Sequence, residues 1–246
     1  MRRLWMTLFI VPVTALAAPA AAYAASAAPA ARTAPAAQTA PAAAGKVIEF
    51  GASGPAVKKL QRRLAALKYY PGKVDGEFGD DTLEAVWAFQ ETQRLPGEDY
   101  VSSAMQRALA HPRAPKVLDR KAGKNRIEVN LRDEVLVLYR NNSPKLISHV
   151  SSGGGYYFCN PGGGCGYAVT PAGNYRTIVF MAGWITVPLG EMYNPVFFIG
   201  TSYAIHGDTD VPLAPVSHGC VRIPMDIAAF FHTLVKVPGE PVIVRG

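Results

Sequence analysis

The chain has 246 residues, enough for one large domain or two modest ones. Its formal net charge is +7, of which residues 1–45 carry +3, residues 46–111 none, residues 112–122 +3 and residues 123–246 +1. Charge confined to a leader and a connector offers no folded basic face to track phosphates, so nucleic acid is excluded as a partner.

The first 24 residues read as a signal peptide. Arg2 and Arg3 open it, an apolar stretch over 4–18 follows, and Ala22-Tyr23-Ala24 gives a small-x-small cleavage site. The expectation is export and a mature chain with no membrane span. An uncleaved anchor is the alternative, because the apolar stretch with its Ala-rich tail approaches the roughly 20 residues of a span. Residues 25–45 are almost entirely Ala and Pro. Such a linker cannot bury a core and is expected to be an extended spacer, holding the folded part away from a surface.

Residues 46–111 are predicted to be helical. Val57, Leu60, Leu64 and Leu67 fall at helical spacing, with Lys58, Arg62 and Arg63 on the polar side. Turn-forming residues follow from Pro71 to Gly79. Asp81 and Glu84 mark a second helix start ahead of Leu83, Val86, Trp87 and Phe89, whose aromatic rings are expected in the core. Ser102 or Ser103 caps a short third helix through Met105 and Leu109. Val57-Lys58-Lys59-Leu60-Gln61-Arg62-Arg63-Leu64, then Gly72-Lys73-Val74-Asp75-Gly76-Glu77-Phe78-Gly79, then Ala85-Val86-Trp87-Ala88-Phe89-Gln90 resemble the peptidoglycan-binding domain of many wall enzymes. The resemblance implies a three-helix bundle that binds glycan or stem peptide without catalysis. Residues 95–101 follow that family's pattern only loosely.

After a connector over 112–122, the periodicity changes to two. Ile127, Val129 and Leu131 alternate with Glu128, Asn130 and Arg132, predicting a half-buried strand. Val135-Leu136-Val137-Leu138-Tyr139 predicts a strand buried on both faces. Further strands are expected around 146–150, 175–180, 196–199 and 242–244, and Tyr203-Ala204-Ile205 is strand-like. One helix has Pro224 in its first turn and Ile227, Phe230, Phe231 and Leu234 on one face. The fold class is therefore α+β in two domains, a small helical bundle followed by a mostly-β, sandwich-like domain over 123–246.

Three cysteines in an exported chain suggest one pair and one free thiol. Cys159 and Cys165 flank Asn-Pro-Gly-Gly-Gly, which allows a small disulfide loop. That leaves Cys220, either an inert buried thiol or a reactive one. Its neighbours favour reactivity. His218 and Arg222 lie two residues either side, on the same face of an extended chain, and Gly219 permits a strained turn whose amides could converge on an oxyanion. His206, fourteen positions upstream and followed by Gly207, is the natural general base. Three cysteines with scattered histidines do not make a standard metal site.

Ile205-His206-Gly207 followed by Ser217-His218-Gly219-Cys220-Val221-Arg222, with Thr170-Pro171-Ala172-Gly173-Asn174-Tyr175 upstream, is similar to the signature of the L,D-transpeptidase (YkuD-type) catalytic domain over about 125–246. The resemblance implies Cys220 as nucleophile and His206 as base, with His218, Gly219 and the Cys220 amide shaping the oxyanion site. It implies that Arg222 supports the site electrostatically, and that Gly207 and Ser217 lie along the substrate, Gly207 also holding the base through its backbone. The implied reaction uses no metal or other cofactor. A donor tetrapeptide stem of peptidoglycan acylates Cys220, D-Ala leaves, and the amine of an acceptor stem resolves the thioester as a 3→3 cross-link. Water as acceptor would make an L,D-carboxypeptidase, and a wall-binding scaffold with a dead catalytic domain is a further alternative. Carbapenems are implied as inhibitors that acylate Cys220. A papain-like protease would place its Cys before its His, the reverse of the order here. His111, His149 and His232 lack such neighbours and are expected to be bystanders.

Overall fold

The structure, a computed structural model, describes residues 47–246; the expected signal peptide and the Ala/Pro linker lie outside the described residues. The helical unit comes first. Strand β1 (Ile48–Glu49) pairs antiparallel with β2 (Tyr100–Val101), and together they frame helices α1 (Pro55–Ala66), α2 (Asp80–Gln93) and α3 (Ser103–Ala110). Pro55 starts α1 because the first helical N–H has no partner to lose. Val57, Leu60 and Leu64 form its buried stripe. Gln61 is also buried, and its amide donates to Asp75 Oδ1 (2.9 Å), Thr82 Oγ1 (3.0 Å) and the Glu77 carbonyl (3.0 Å), pinning the turn before α2. Helix α2 starts at Asp80, one residue ahead of the expected start, with Gly79 as its cap and two acidic residues in the positive first turn. Ser102 caps α3 by accepting from the Met105 N–H at 3.2 Å. Phe89 is in the core as expected, whereas Trp87 is only half-buried at the edge of the unit.

The second part is built from strands β3 (Arg126–Asn130), β4 (Val135–Arg140), β5 (Ser143–His149), β6 (Tyr157–Cys159), β7 (Cys165–Tyr167), β8 (Gly173–Arg176), β9 (Val179–Phe180), β10 (Trp184–Val187), β11 (Gly190–Ile199), β12 (Tyr203–Gly207) and β13 (Val221–Ile223). Helix α4 (Met225–Leu234) and strand β14 (Pro241–Arg245) complete it. One five-stranded sheet runs β5-β4-β3-β14-β8. The other runs β10-β11-β12-β13, with β9 also on β11. Strands β6 and β7 form a separate hairpin closed by the Cys159–Cys165 disulfide. The architecture is thus α+β, with three helices over 55–110 followed by a mostly-β domain that carries one helix among the described residues.

Two cores share the first sheet. Leu136, Leu138 and Leu146 on one face join Val196, Ile205, Val221 and α4 residues Ile227 and Phe231. Val135, Val137, Tyr139 and Ile147 on the other face join Leu64, Val86, Phe89 and Met105 of the helical unit. The alternation along β4 therefore points into two apolar layers, which is why its five apolar residues carry no polar face. Backbone bonding continues across the junction, where the Ile147 N–H donates to the Lys68 carbonyl at 2.8 Å. Tyr70 edges onto Phe230 of α4 with ring centres 4.9 Å apart.

The half-buried reading of β3 needs correction, because all five of its residues are buried. The polar face is covered by the connector. Glu128 accepts from the Leu118 and Asp119 N–H groups at 2.7 and 3.3 Å and pairs with Arg126 Nε at 2.6 Å. The Arg126 guanidinium lies 4.1 Å from the centre of the Tyr139 ring. A buried ion pair persists when its remaining donors and acceptors are satisfied in this way.

Candidate active site

Strands β12 and β13 run parallel, with His206 opposite Arg222 and Ile205 opposite Val221. Side chains alternate across a strand, so these two strands divide their residues between two faces. Ile205, Val221 and Ile223 point into the main core. Ala204, His206, Cys220 and Arg222 fall on the opposite face, where Cys220 packs beside Met192, Phe197 and Ala204. The two residues expected to act together are thereby brought to one surface from positions fourteen apart.

His206 is buried, at 4% exposure. Its Nδ1 lies 2.9 Å from the Gly207 carbonyl, an acceptor, so Nδ1 carries the proton and Nε2 keeps its lone pair. Burial holds its pKa below the ordinary histidine value, against the opposing pull of the Gly207 carbonyl and Asp208. A neutral imidazole with a free Nε2 is the form a general base requires. Cys220 is half-buried and free. Burial pushes its thiol up, while the Ala204 N–H and Arg222 pull the other way. A thiol kept protonated needs a base at the moment of attack, in contrast to a cysteine that rests as thiolate.

The turn before β13 is shaped around Gly219, whose φ of +135° is open to glycine alone. A Cβ there would come within 2.7 Å of Tyr203 Cε1 and 2.8 Å of the Val169 carbonyl. Ser217 Oγ accepts from the Gly219 N–H at 3.0 Å and donates to the Cys220 carbonyl at 2.6 Å. Ser217 is 2% exposed, and its hydroxyl is engaged inside the turn, where it shapes the loop. Gly207 accepts from His206 Nδ1 through its carbonyl. It is buried, and a Cβ there would stand 2.6 Å from Ala228 Cβ and 3.1 Å from Met225 Sδ, so it lets α4 approach the strand that carries the base.

Arg222 is tied to the loop after His206. Its Nε pairs with Asp208 Oδ2 at 3.1 Å, and its Nη1 lies 3.6 Å from Asp210 Oδ2 and 3.1 Å from the Asp210 carbonyl. With two carboxylates beside it, the guanidinium braces that loop while its charge also favours the Cys220 thiolate. Asp208 and Asp210 lie between the two motifs, and their pairing with Arg222 had no spacing signal in the sequence.

His218 is partly exposed and meets the β6–β7 hairpin, with its ring centre 4.8 Å from that of Phe158 and 5.5 Å from that of Tyr156. Burial, then Arg222, lowers its pKa. The disulfide hairpin therefore forms one wall next to His218, two residues from Cys220. Tyr157 and Tyr167 stack edge-on at its exposed surface, 5.3 Å apart. Behind the turn, Thr170 Oγ1 accepts from the Gly153 N–H at 2.9 Å and donates to the Gly219 carbonyl at 2.7 Å. Ser151 and Arg222 exchange two backbone hydrogen bonds at 3.0 and 3.1 Å, and the Ser217 N–H donates to the Ser152 carbonyl at 2.9 Å. Glu134, buried in the β3–β4 turn, in turn accepts from the Ser152 N–H and hydroxyl, both at 2.7 Å. The glycine-rich run after β5 was a visible signal for this clamp; Glu134 had none.

His111 is exposed at the end of α3, and the His232 ring stacks on Phe180 at 4.2 Å. His149 is engaged at the junction with the helical unit. Among the described residues, no cluster of three or more His, Cys, Asp or Glu could hold a metal ion, and no helix is long and apolar enough to cross a membrane. The arrangement can carry out base-assisted nucleophilic attack by a thiol at a clamped, glycine-dependent turn.

The chain is similar to known proteins in both parts. The peptidoglycan binding domain family matches residues 53–109, and the L,D-transpeptidase catalytic domain family matches residues 124–244. The solved L,D-transpeptidase of Xylanimonas cellulosilytica is 30% identical over 80% of this chain and 96% of that chain, with a TM-score of 0.75. An L,D-transpeptidase from Stackebrandtia nassauensis is 20% identical over 80% of this chain and 94% of that one, with a TM-score of 0.47. A spore cortex-lytic enzyme of Bacillus cereus is 49% identical over 53 residues, 22% of this chain and 20% of that protein, so the match spans about a fifth of that relative.

Proposed function

The chain belongs to the L,D-transpeptidase family, and from that premise we propose that it is an exported enzyme forming 3→3 cross-links between peptidoglycan stems through a thioester on Cys220. The observation that supports the reading is the parallel register of β12 and β13, which pairs His206 with Arg222, together with the packing of Cys220 beside Ala204. The proposed division of the chain is signal peptide 1–24, linker 25–45, peptidoglycan-binding unit 46–111, connector 112–122 and catalytic domain 123–246.

The chemistry follows from the protonation states. His206 Nε2 takes the thiol proton as Cys220 attacks the carbonyl of the third stem residue, on its L-centre. The oxyanion that forms is held by N–H groups at the 217–220 turn. As the tetrahedral intermediate collapses, the C–N bond breaks and the D-Ala amine takes the proton from His206. The thioester retains the acyl group without any external energy source. The side-chain amine of an acceptor stem then attacks it, giving its proton to His206, and the Cys220 sulfur leaves and recovers that proton. In this scheme His218 and the hairpin wall frame the oxyanion side, and Arg222 keeps the loop in place. Carbapenems would acylate the same sulfur by opening their strained amide.

The test is incubation of the full chain with a stem tetrapeptide that carries a diamino acid at position three, followed by mass spectrometry. Free D-Ala, an adduct on Cys220 and a cross-linked dimer are expected. Tripeptide and D-Ala with no dimer would make the acceptor water and the enzyme an L,D-carboxypeptidase. Unchanged turnover in Cys220→Ala would remove the mechanism.

A further inference from the structure

One buried histidine is used by none of the chemistry above. His149, at the end of β5, has a side chain that is 0% exposed, yet both of its nitrogens are engaged by different parts of the molecule. Nδ1 lies 2.8 Å from Glu91 Oε1 on α2 of the helical unit. Nε2 lies 3.0 Å from the Val211 carbonyl and 3.2 Å from the Pro212 carbonyl, in the loop that joins His206 to the 217–220 turn. Carbonyl oxygens only accept, so Nε2 carries a proton and donates to the loop. Trp87 of α2 packs edge-on against the same ring at 5.6 Å.

The loop over 208–216 has no regular structure of its own and is held from outside. Near its start, Asp208 and Asp210 hold Arg222. Near its end, Ser151 Oγ donates to the Ala214 carbonyl at 2.8 Å and accepts from the Val216 N–H at 3.2 Å. Between these, His149 grips Val211 and Pro212, and Leu213 sits so close to Gly97 of the helical unit that a Cβ there would lie 2.7 Å from Leu213 Cδ1. The middle of the loop is thus tied to the helical unit through His149, which bonds both Glu91 and the loop carbonyls, and by one close packing contact.

We propose that His149 is a positioning residue for the acyl transfer, which links Glu91 of the helical unit to the 208–216 loop and so sets the aim of Arg222 and the Cys220 turn. The inference rests on Cys220 being the nucleophile. Its logic is geometric. The loop enters at the base-bearing strand and leaves at the nucleophile turn, so a shift in its middle moves the two reacting groups relative to each other. A displacement of about 1 Å at a reacting centre can cost on the order of 100-fold in rate.

The link also has a charge state. Around the ring stand Glu91 and Glu84 from α2, with Glu134 and Asp133 of the β3–β4 turn close to Glu91. Burial lowers the His149 pKa, but the hydrogen bond and charge of Glu91 outweigh it, so the net shift is upward. Burial likewise raises Glu91, to about 7. The pair therefore keeps a proton between Nδ1 and Oε1 at neutral pH. Losing it in alkali sets a lone pair against a carboxylate and loosens the grip on the loop.

The experiment compares the full chain with His149→Ala, His149→Gln and Glu91→Gln, reading kcat and KM for acylation of Cys220 by a stem tetrapeptide across pH. His149→Ala is expected to lower kcat by about 10- to 100-fold with KM little changed. His149→Gln can still donate to the Val211 carbonyl and should recover most of the rate. Glu91→Gln can donate an amide N–H to a neutral His149, so it should keep the neutral-pH rate and lose the wild-type decline in alkali. Hydrogen exchange of residues 208–216 at one fixed pH should be faster in His149→Ala. Equal rates and equal loop exchange in His149→Ala and wild type would overturn the proposal. So would equal impairment of both His149 variants together with an unaltered pH profile in Glu91→Gln. If wild type is not acylated at all, the catalytic reading fails, and the exchange measurement still decides whether His149 orders the loop.

Discussion

Thr170 Oγ1 donates a hydrogen bond to the Gly219 carbonyl at 2.7 Å while accepting the Gly153 N–H, so one buried hydroxyl joins three separate stretches of chain next to Cys220. Both of its bonds go to backbone, one of them in the turn. Thr170→Val keeps the shape and removes both, leaving a buried N–H and a buried carbonyl without that partner. The expected cost is about 1–3 kcal/mol in stability, with a fall in kcat larger than any change in KM. Thermal melting and steady-state kinetics check this, and a variant with wild-type kcat would show that the turn does not depend on the hydroxyl.

Gly219→Ala should be more damaging than its size suggests. The residue sits at φ +135°, and a methyl group would press on the Val169 carbonyl at 2.8 Å. The conformation alone costs about 1–3 kcal/mol for a residue with a Cβ. The expected result is loss of Cys220 acylation by a stem peptide or carbapenem, read by mass, in a protein that still folds. Acylation at the wild-type rate would show that the turn can relax without moving the sulfur.

His206→Asn should lower acylation by about 10²- to 10⁴-fold, the usual contribution of a general base. Burial holds the His206 pKa below the ordinary value. In wild type the acid limb of the kcat/KM profile should therefore lie below pH 6.5. The Cys220 thiol is raised by burial, so iodoacetamide should alkylate it slowly at neutral pH and faster in alkali. Rapid alkylation near pH 6 would indicate a resting thiolate and a different first step.

Stability should decline as pH rises. Burial, then Asp226, lifts Glu84 from 4.5 to about 8; burial lifts Glu91 from 4.5 to about 7; and burial, then Asp81, lifts Asp226 from 3.8 to about 7. A carboxyl whose folded pKa is raised binds its proton more tightly in the native state. Each therefore opposes folding increasingly as pH climbs from its unfolded value to its folded one, and by a constant amount above that. His149, also raised, contributes stability that is lost through its folded value. All four shifts act in the same direction. Melting temperature should fall between about pH 5 and pH 8, and Glu84→Gln should flatten the decline. A melting temperature that rises over this range would contradict the assignment.

Much of this was readable from the residues, for identifiable reasons. The helices showed themselves through the spacing of Val57, Leu60 and Leu64, and the Ser102 cap through its hydroxyl, because both are local effects. Cys220 and His206 stood out because glycine neighbours and an odd thiol count are local as well. What the pattern concealed was set by distant partners. Arg126 and Glu128 look like a solvent face until the connector covers them. Arg222 looks like a free cation until Asp208 and Asp210 close on it. The Ser217 hydroxyl gives no local sign of the two bonds it makes inside the turn. His149 reads as a bystander because both of its partners lie about sixty positions away in sequence.

The sheet face that carries Val137 and Ile147 also closes the core of the helical unit. That shared layer makes the described molecule a caliper. A catalytic domain on a flexible leash would meet bonds at a local concentration set by leash length. Here the shared core fixes the span from the helices to the sulfur. Under the proposed function, target choice would then follow spacing along the wall as well as the chemistry of the stem.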